Sequence, residues 1–280
     1  MGMLAEKMAM DLRVRGRSEK TVRSYLRCAR NFVAFHGRSP RELGEADLRA
    51  FVRHLMVVKK LGPDGLRGYL AALKFLYHHT LDRSEEVAWV KLPRKPKRLP
   101  SVLSSAEIET LVATAPSPRM RAMILVAYGS GLRVSEVCRL QVGDLDSKRG
   151  CIHVHAGKGN KDRLVPLPGR LLGELRQYWK DTRPPGPWLF PGGRPGMPIN
   201  SATVLTHFRW TVAQSGLPRR VRFHSLRHAF ATHQLERGVD LVTLQAMMGH
   251  RRLTTTAEYL HVRTDHILAA GSPLDPTPAT

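Results

Sequence analysis

Cysteine is scarce in this chain of 280 residues. Cys28, Cys138 and Cys151 are far apart and odd in number, so they supply neither a disulfide framework nor a Cys-based zinc site. Long apolar runs are missing too. No stretch approaches the roughly 20 residues of a membrane span, and the opening MGMLAEKMAMDLRVRG lacks the apolar core of a secretory signal. Its Met-Gly start runs straight into acid and base within a helical pattern, which does not read as a lipidation signal. These absences point to a soluble protein in a reducing setting, and a cytoplasmic location is expected.

Negative charge is also in short supply. There are 23 Asp plus Glu against 45 Lys plus Arg, a formal net charge of +22. The excess is spread along the chain: residues 1–92 carry 18 basic and 10 acidic side chains, residues 93–280 carry 27 and 13. A basic tail on a neutral protein would be distributed differently. A field of this kind suits a polyanion that touches both halves, and nucleic acid is the commonest one. The shortage is sharpest in 222-RFHSLRHAFATHQ-234, where Arg222, His224, Arg227, His228 and His233 have no acidic neighbour before Glu236.

In 1–92 the apolar residues recur at three and four. Thr21, Val22, Tyr25, Leu26, Ala29, Phe32 and Val33 form one stripe, with Ser18 placed to cap its start and Gly37 to end it. Similar stripes run through Leu48–Leu55 and Leu66–Tyr77, and a weaker one through Leu4–Leu12. An all-helical domain is expected over 1–92. The run 91-KLPRKPKRLP-100 follows, five basic residues and three prolines in ten. It reads as an extended connector, with Lys91, Arg94, Lys95, Lys97 and Arg98 as DNA-binding candidates. Ser104-x-x-Glu107 opens the second half as a capping box. Strand alternation shows only in 151-CIHVH-155 and 163-RLVPL-167, a hairpin around 156-AGKGNKD-162. Helices are expected at about 169–180, 200–215, 223–237, 240–248 and 254–263, and the Pro/Gly-rich loop 183–198 is expected to be exposed. The fold class is therefore mainly α, an all-α bundle before an α+β domain with a small antiparallel sheet.

His224 and Arg227 are three apart and share a helix face. An Arg fork takes two oxygens of one phosphate, and an adjacent imidazole can move a proton. An internal carboxylate would neutralise groups meant for a substrate. His228 and His233 read better as satisfied core residues. His224 and His228 also have metal-ligand spacing, but without the acidic partner of an HExxH set. Arg133 sits at a helix start after Gly131-Leu132, with Glu136 placed to orient it. Lys158 stands between two glycines, where a ligand can approach closely. His250 follows Gly249 at a helix end, and Tyr259 lies behind three threonines.

The ordered series GLRVSE (131–136), GKGNKDRLVPL (157–167), HSLRH (224–228), GH (249–250) and TTxxYxH (255–261) closely resembles the tyrosine recombinase, or phage integrase, family, in its simple two-domain Xer-like form. The resemblance runs from about residue 15 to 265. It implies a SAM-like core-binding domain at 1–92, a linker at 93–103, a catalytic domain at 104–270 and a tail at 271–280. It makes Arg133, Lys158, His224, Arg227 and His250 the catalytic basic residues and Tyr259 the nucleophile. It further implies a 3′-phosphotyrosyl intermediate, no metal or other cofactor, double-stranded DNA as partner, and four protomers on two sites. Integration, excision and dimer resolution all remain open. So do a type IB topoisomerase, a DNA-binding protein that does not cut, and a metallohydrolase.

Overall fold

Ser18 and Gly37 delimit the longest helix of the first half. The Ser18 hydroxyl accepts the Thr21 N–H at 3.3 Å, and Gly37 turns left-handed at φ 68°. This computed structural model describes residues 2–92, 102–155, 162–218 and 220–249. Arg94, Lys95, Lys97, Arg98, Lys158, His250, Tyr259 and the helix expected at 254–263 lie outside the described residues. The chain divides into two units, Met1–Arg98 and Leu99–Thr280.

The first unit contains α1 (Gly2–Val14), α2 (Glu19–His36), α3 (Glu45–Val57) and α4 (Pro63–Phe75), which continues into a π-helical turn, Leu76–Thr80. Pro63 stands in the first turn of α4, where its missing N–H costs nothing. Leu12, Phe32, Leu48, Phe51, Leu73 and Tyr77 are at most 2% exposed and form the centre of its core. Each such side chain contributes on the order of 1.5–3 kcal/mol by burial. Phe32 meets Phe51 edge-on at 5.2 Å. The buried Tyr77 hydroxyl reaches the carbonyls of Pro40 and Leu43 at 3.2 and 3.1 Å, so that hydroxyl is not stranded. Lys91 is exposed just beyond this core.

The second unit begins with α5 (Ser105–Ala113) on the expected capping box: Glu107 N–H to Ser104 Oγ at 3.2 Å, and Ser104 N–H to Glu107 Oε2 at 2.8 Å. Next come α6 (Pro118–Gly129), buried on most sides, and the single-turn α7 (Val134–Cys138). A three-stranded antiparallel sheet follows, β1 (Leu145–Asp146), β2 (Cys151–Val154) and β3 (Arg163–Pro166), in the order β1-β2-β3. β2 and β3 are the expected hairpin, with Ile152 opposite Val165. β1 adds a strand beyond that hairpin, since two residues carry no readable alternation. The unit ends with α8 (Gly169–Thr182), α9 (Ser201–Gln214), α10 (Phe223–Glu236) and α11 (Leu241–Met248). The loop at 183–198 departs from expectation. Leu189 and Phe190 are 1% and 0% exposed, and the Leu189 N–H bonds to the Leu140 carbonyl at 2.8 Å. Two adjacent apolar side chains pin this Pro/Gly-rich stretch to the core. Among the described residues no helix is long and apolar enough to cross a membrane.

Candidate active site

The turn after α6 sets the site. Ser130 is fully buried and its hydroxyl donates to the Pro166 carbonyl at 2.6 Å, tying the end of α6 to the end of β3. Gly131 then turns left-handed at φ 66°, and a Cβ there would strike the Phe230 ring. That close approach lets α10 pack against the turn. It also leaves the Gly131 carbonyl facing the Arg227 guanidinium, whose Nη1 donates to it at 2.6 Å. Leu132 is buried, and Arg133 stands at the N-cap of α7.

Glu136 is the hub. One of its oxygens accepts the Arg133 backbone N–H at 2.7 Å and the other accepts Arg133 Nη1 at 2.8 Å. Arg163 grips the same carboxylate in a two-pronged fork, Nη1 at 3.1 Å and Nη2 at 2.8 Å. Arg227 Nη1 lies 3.8 Å from it. Burial alone would raise this carboxyl, but the hydrogen-bonded Arg163 and then Arg133 overcome that and hold it at about 2. The carboxylate is therefore charged at any working pH.

The three guanidinium groups also meet the end of α11. Asp240 caps that helix by accepting the Val242 and Thr243 N–H groups, both at 2.9 Å, and Gly249 ends it at φ 57°. A helix end leaves carbonyls without internal partners and carries partial negative charge. Here Arg163 Nε donates to the Met247 carbonyl at 2.7 Å and Arg227 Nη2 to that of Met248. Arg133 Nη2 reaches Met248 and Gly249 by longer bonds of 3.3 and 3.4 Å. Of the expected site residues, Arg133, His224 and Arg227 are thus brought together on α7 and α10. The Arg227 side chain is 1% exposed and the Arg133 side chain 24%. Arg133 is the more open of the two.

His224 lies one turn before Arg227 on α10 and is exposed. The protein packed around its ring, then Arg227 and Arg133, push its imidazole below the ordinary value. The shift favours the neutral imidazole, the form that can accept a proton. His228 behaves as a core residue, lowered to about 4 by burial and then by His224. His233 has its partner in the Tyr128 hydroxyl, 2.8 Å from Nδ1. The base of the 156–161 segment is closed by His155, whose Nδ1 is 3.4 Å from Asp162 Oδ2 and whose Nε2 is 3.1 Å from the buried Asp144.

Asp146, Cys151 and His153 share the outer face of the sheet with donor atoms within 4.8 Å of one another. Asp146 Oδ1 is already engaged by the Lys148 and Arg149 N–H groups at 3.1 and 2.9 Å, as a turn residue. Strand alternation puts this trio on the face opposite Arg163, away from the arginine hub. In the sequence Arg163 lies inside the GKGNKDRLVPL motif as the first residue of the strand, two positions before the core-facing Val165, and nothing there marks it as a partner of Glu136.

Residues 101–266 match the phage integrase family, and residues 4–86 match the N-terminal SAM-like domain of phage integrases. The chain belongs to the phage integrase family. An integrase/recombinase-type protein of Sinorhizobium fredii (strain NBRC 101917 / NGR234) is 41% identical over 99% of this chain and 90% of its own length. The tyrosine recombinase XerA of Pyrococcus furiosus is 33% identical over 95% and 91%. In fold, this integrase matches a Tn1549 transposon integrase solved with circular intermediate DNA, at a TM-score of 0.72 and 20% identity over 95% of this chain and 98% of that one.

Proposed function

We propose that this integrase cuts and rejoins duplex DNA at a specific recombination site through a 3′-phosphotyrosyl intermediate on Tyr259. The observation that carries the reading is the cluster of Arg133, Arg227 and His224 within the region that matches the integrase family. A phosphodiester repels nucleophiles, and its transition state gathers further charge on the non-bridging oxygens. Arg133, Arg227 and His250 supply donors to those oxygens, each worth on the order of 10²–10³ in rate. Arg133 is suited to that role because its bonds to the α11 carbonyls are long and readily exchanged for phosphate. His224, whose neutral form is favoured by its surroundings, accepts the Tyr259 proton, and the nearby cations favour the phenolate. The Tyr259 oxygen attacks phosphorus, the bond to the 5′-oxygen breaks, and Lys158 protonates the departing oxygen. Attack by another strand's 5′-hydroxyl reverses the step, so bond energy is conserved.

The basic stretch Lys91, Arg94, Lys95, Lys97 and Arg98 lies along the phosphates between a DNA-binding unit (1–92) and a catalytic unit (104–270). Four protomers act on two sites, in the compartment that holds the host DNA. Relatives named as recombinases, at 33–41% identity over nearly the whole chain, favour this over DNA relaxation by a topoisomerase. A nicked duplex that loses its 5′-hydroxyl fragment on cleavage should trap wild type as a covalent adduct. Tyr259→Phe should bind the same duplex and trap none. An adduct formed by the mutant would place the nucleophile elsewhere.

A further inference from the structure

We propose that Arg163 is a positioning residue for strand cleavage, fixing the β2–β3 hairpin and the end of α11 to the Glu136 hub so that groups supplied by separate segments meet one phosphate. This rests on the recombinase reading above. All three guanidinium nitrogens of Arg163 are engaged: Nη1 and Nη2 on Glu136, at 3.1 and 2.8 Å, and Nε on the Met247 carbonyl at 2.7 Å. Its side chain is only 8% exposed. Three of its five N–H donors are spent on Glu136 and Met247, whereas Arg133 is more open and its two bonds to α11 are long. Arg163 is an anchor between the hairpin, α7 and the end of α11.

The placement of the anchor is what gives it a role. Upstream, Arg163 directly follows Asp162, which with His155 closes the base of the segment carrying Lys158. Across the site it holds Met247, three positions before His250. Through Glu136 it also bears on Arg133, because one carboxylate oxygen takes both Arg133 Nη1 and Arg163 Nη1. Gly249 adds a steric lock. A Cβ there would stand 3.2 Å from Arg163 Cδ and 3.3 Å from its Nε, so the helix end and the guanidinium have interlocking shapes. Lysine at 163 keeps the charge but offers no fork, and cannot bridge the carboxylate and the carbonyl at once. Misplacement of about 1 Å can cost on the order of 10² in rate without loss of binding.

The test uses the full chain and a pool of nicked duplexes of randomised sequence, from which wild type selects its own cleavable duplex by covalent capture. On that duplex, affinity is measured by anisotropy and the saturating single-turnover rate by adduct formation, normalised to folded protein. Arg163→Lys should keep the affinity within about threefold and lose about 30- to 100-fold in saturating rate. The pair Glu136→Gln with Arg163→Gln removes one charge of each sign, leaves Arg227 its carbonyl partners at Gly131 and Met248, and should also be slow while still binding. Arg121→Gln, which breaks a comparable two-pronged pair with Glu174 elsewhere in the unit, should leave the rate per folded molecule unchanged. A wild-type saturating rate for Arg163→Lys or for the neutral pair would overturn the proposal. So would a loss confined to affinity or to the folded fraction. Absence of any adduct with wild type would instead remove the recombinase reading, and this proposal with it.

Discussion

Replacing Glu136 by Gln removes one negative charge from among three guanidinium groups and keeps the side-chain volume. Two routes give the magnitude. The carboxyl is held at about 2 against an ordinary 4.5, and at about 1.36 kcal/mol per unit that gap is roughly 3 kcal/mol of stability. Alternatively, breaking a buried ion pair by removing one partner costs about 3–5 kcal/mol. Arg163 and Arg227, at 8% and 1% exposed, are the cations left behind. The two figures agree at about 3 kcal/mol. Three of the four tryptophans, Trp179, Trp188 and Trp210, lie in the second unit and report its unfolding. With a urea m-value of about 2 kcal/mol/M, the midpoint at pH 7 should fall by roughly 1–2 M. Because the folded carboxyl is depressed, its contribution is present above pH 4.5 and is lost as pH falls from there towards 2. The gap between wild type and mutant should therefore narrow across that acid window. A midpoint shift at pH 7 smaller than about 0.3 M would refute the view of Glu136 as the charge that holds the arginine hub.

Gly131→Ala should be costly twice over, through a left-handed backbone and a clash with Phe230; a loss of about 2 kcal/mol or more is expected in the same urea titration, and a loss under about 0.5 kcal/mol would contradict it. Lys158→Ala should slow cleavage while leaving affinity nearly unchanged, and sulfur in place of the bridging 5′-oxygen should restore much of the rate, since that leaving group needs little protonation. Failure of sulfur rescue would remove the general-acid role. Neutralising Lys91, Arg94, Lys95, Lys97 and Arg98 should weaken binding to all sequences alike and flatten the log–log salt dependence by about 0.9 for each phosphate no longer neutralised. An unchanged salt slope would take the connector off the DNA.

Much of the scaffold was legible because it is local. Ser18 and Gly37 delimit α2 by capping chemistry, Ser104 and Glu107 open α5, and the alternation of β2 and β3 marks the two strands on either side of 156–161. The three-residue spacings of Arg133 with Glu136 and of His224 with Arg227 put each pair on one helical turn. What escaped depends on partners distant in sequence. Arg163 reads as the ordinary first residue of a strand until the fold brings Glu136 and Met247 to it. Leu189 and Phe190 look exposed within a Pro/Gly-rich loop until Leu140 pairs with that stretch. The burial of Arg227 follows from Gly131 letting α10 approach, which no periodicity encodes.

The most direct measurement is the identity of the residue that carries DNA. Covalent adduct from wild-type protein and a nicked duplex is digested with nuclease and protease, and the nucleotide-bearing peptide is sequenced by mass spectrometry. The expected result is a 3′-phosphoryl nucleotide on Tyr259, with a free 5′-hydroxyl on the released strand. A nucleotide attached to any other residue, or cut strands bearing 5′-phosphates with no attached protein, would contradict it.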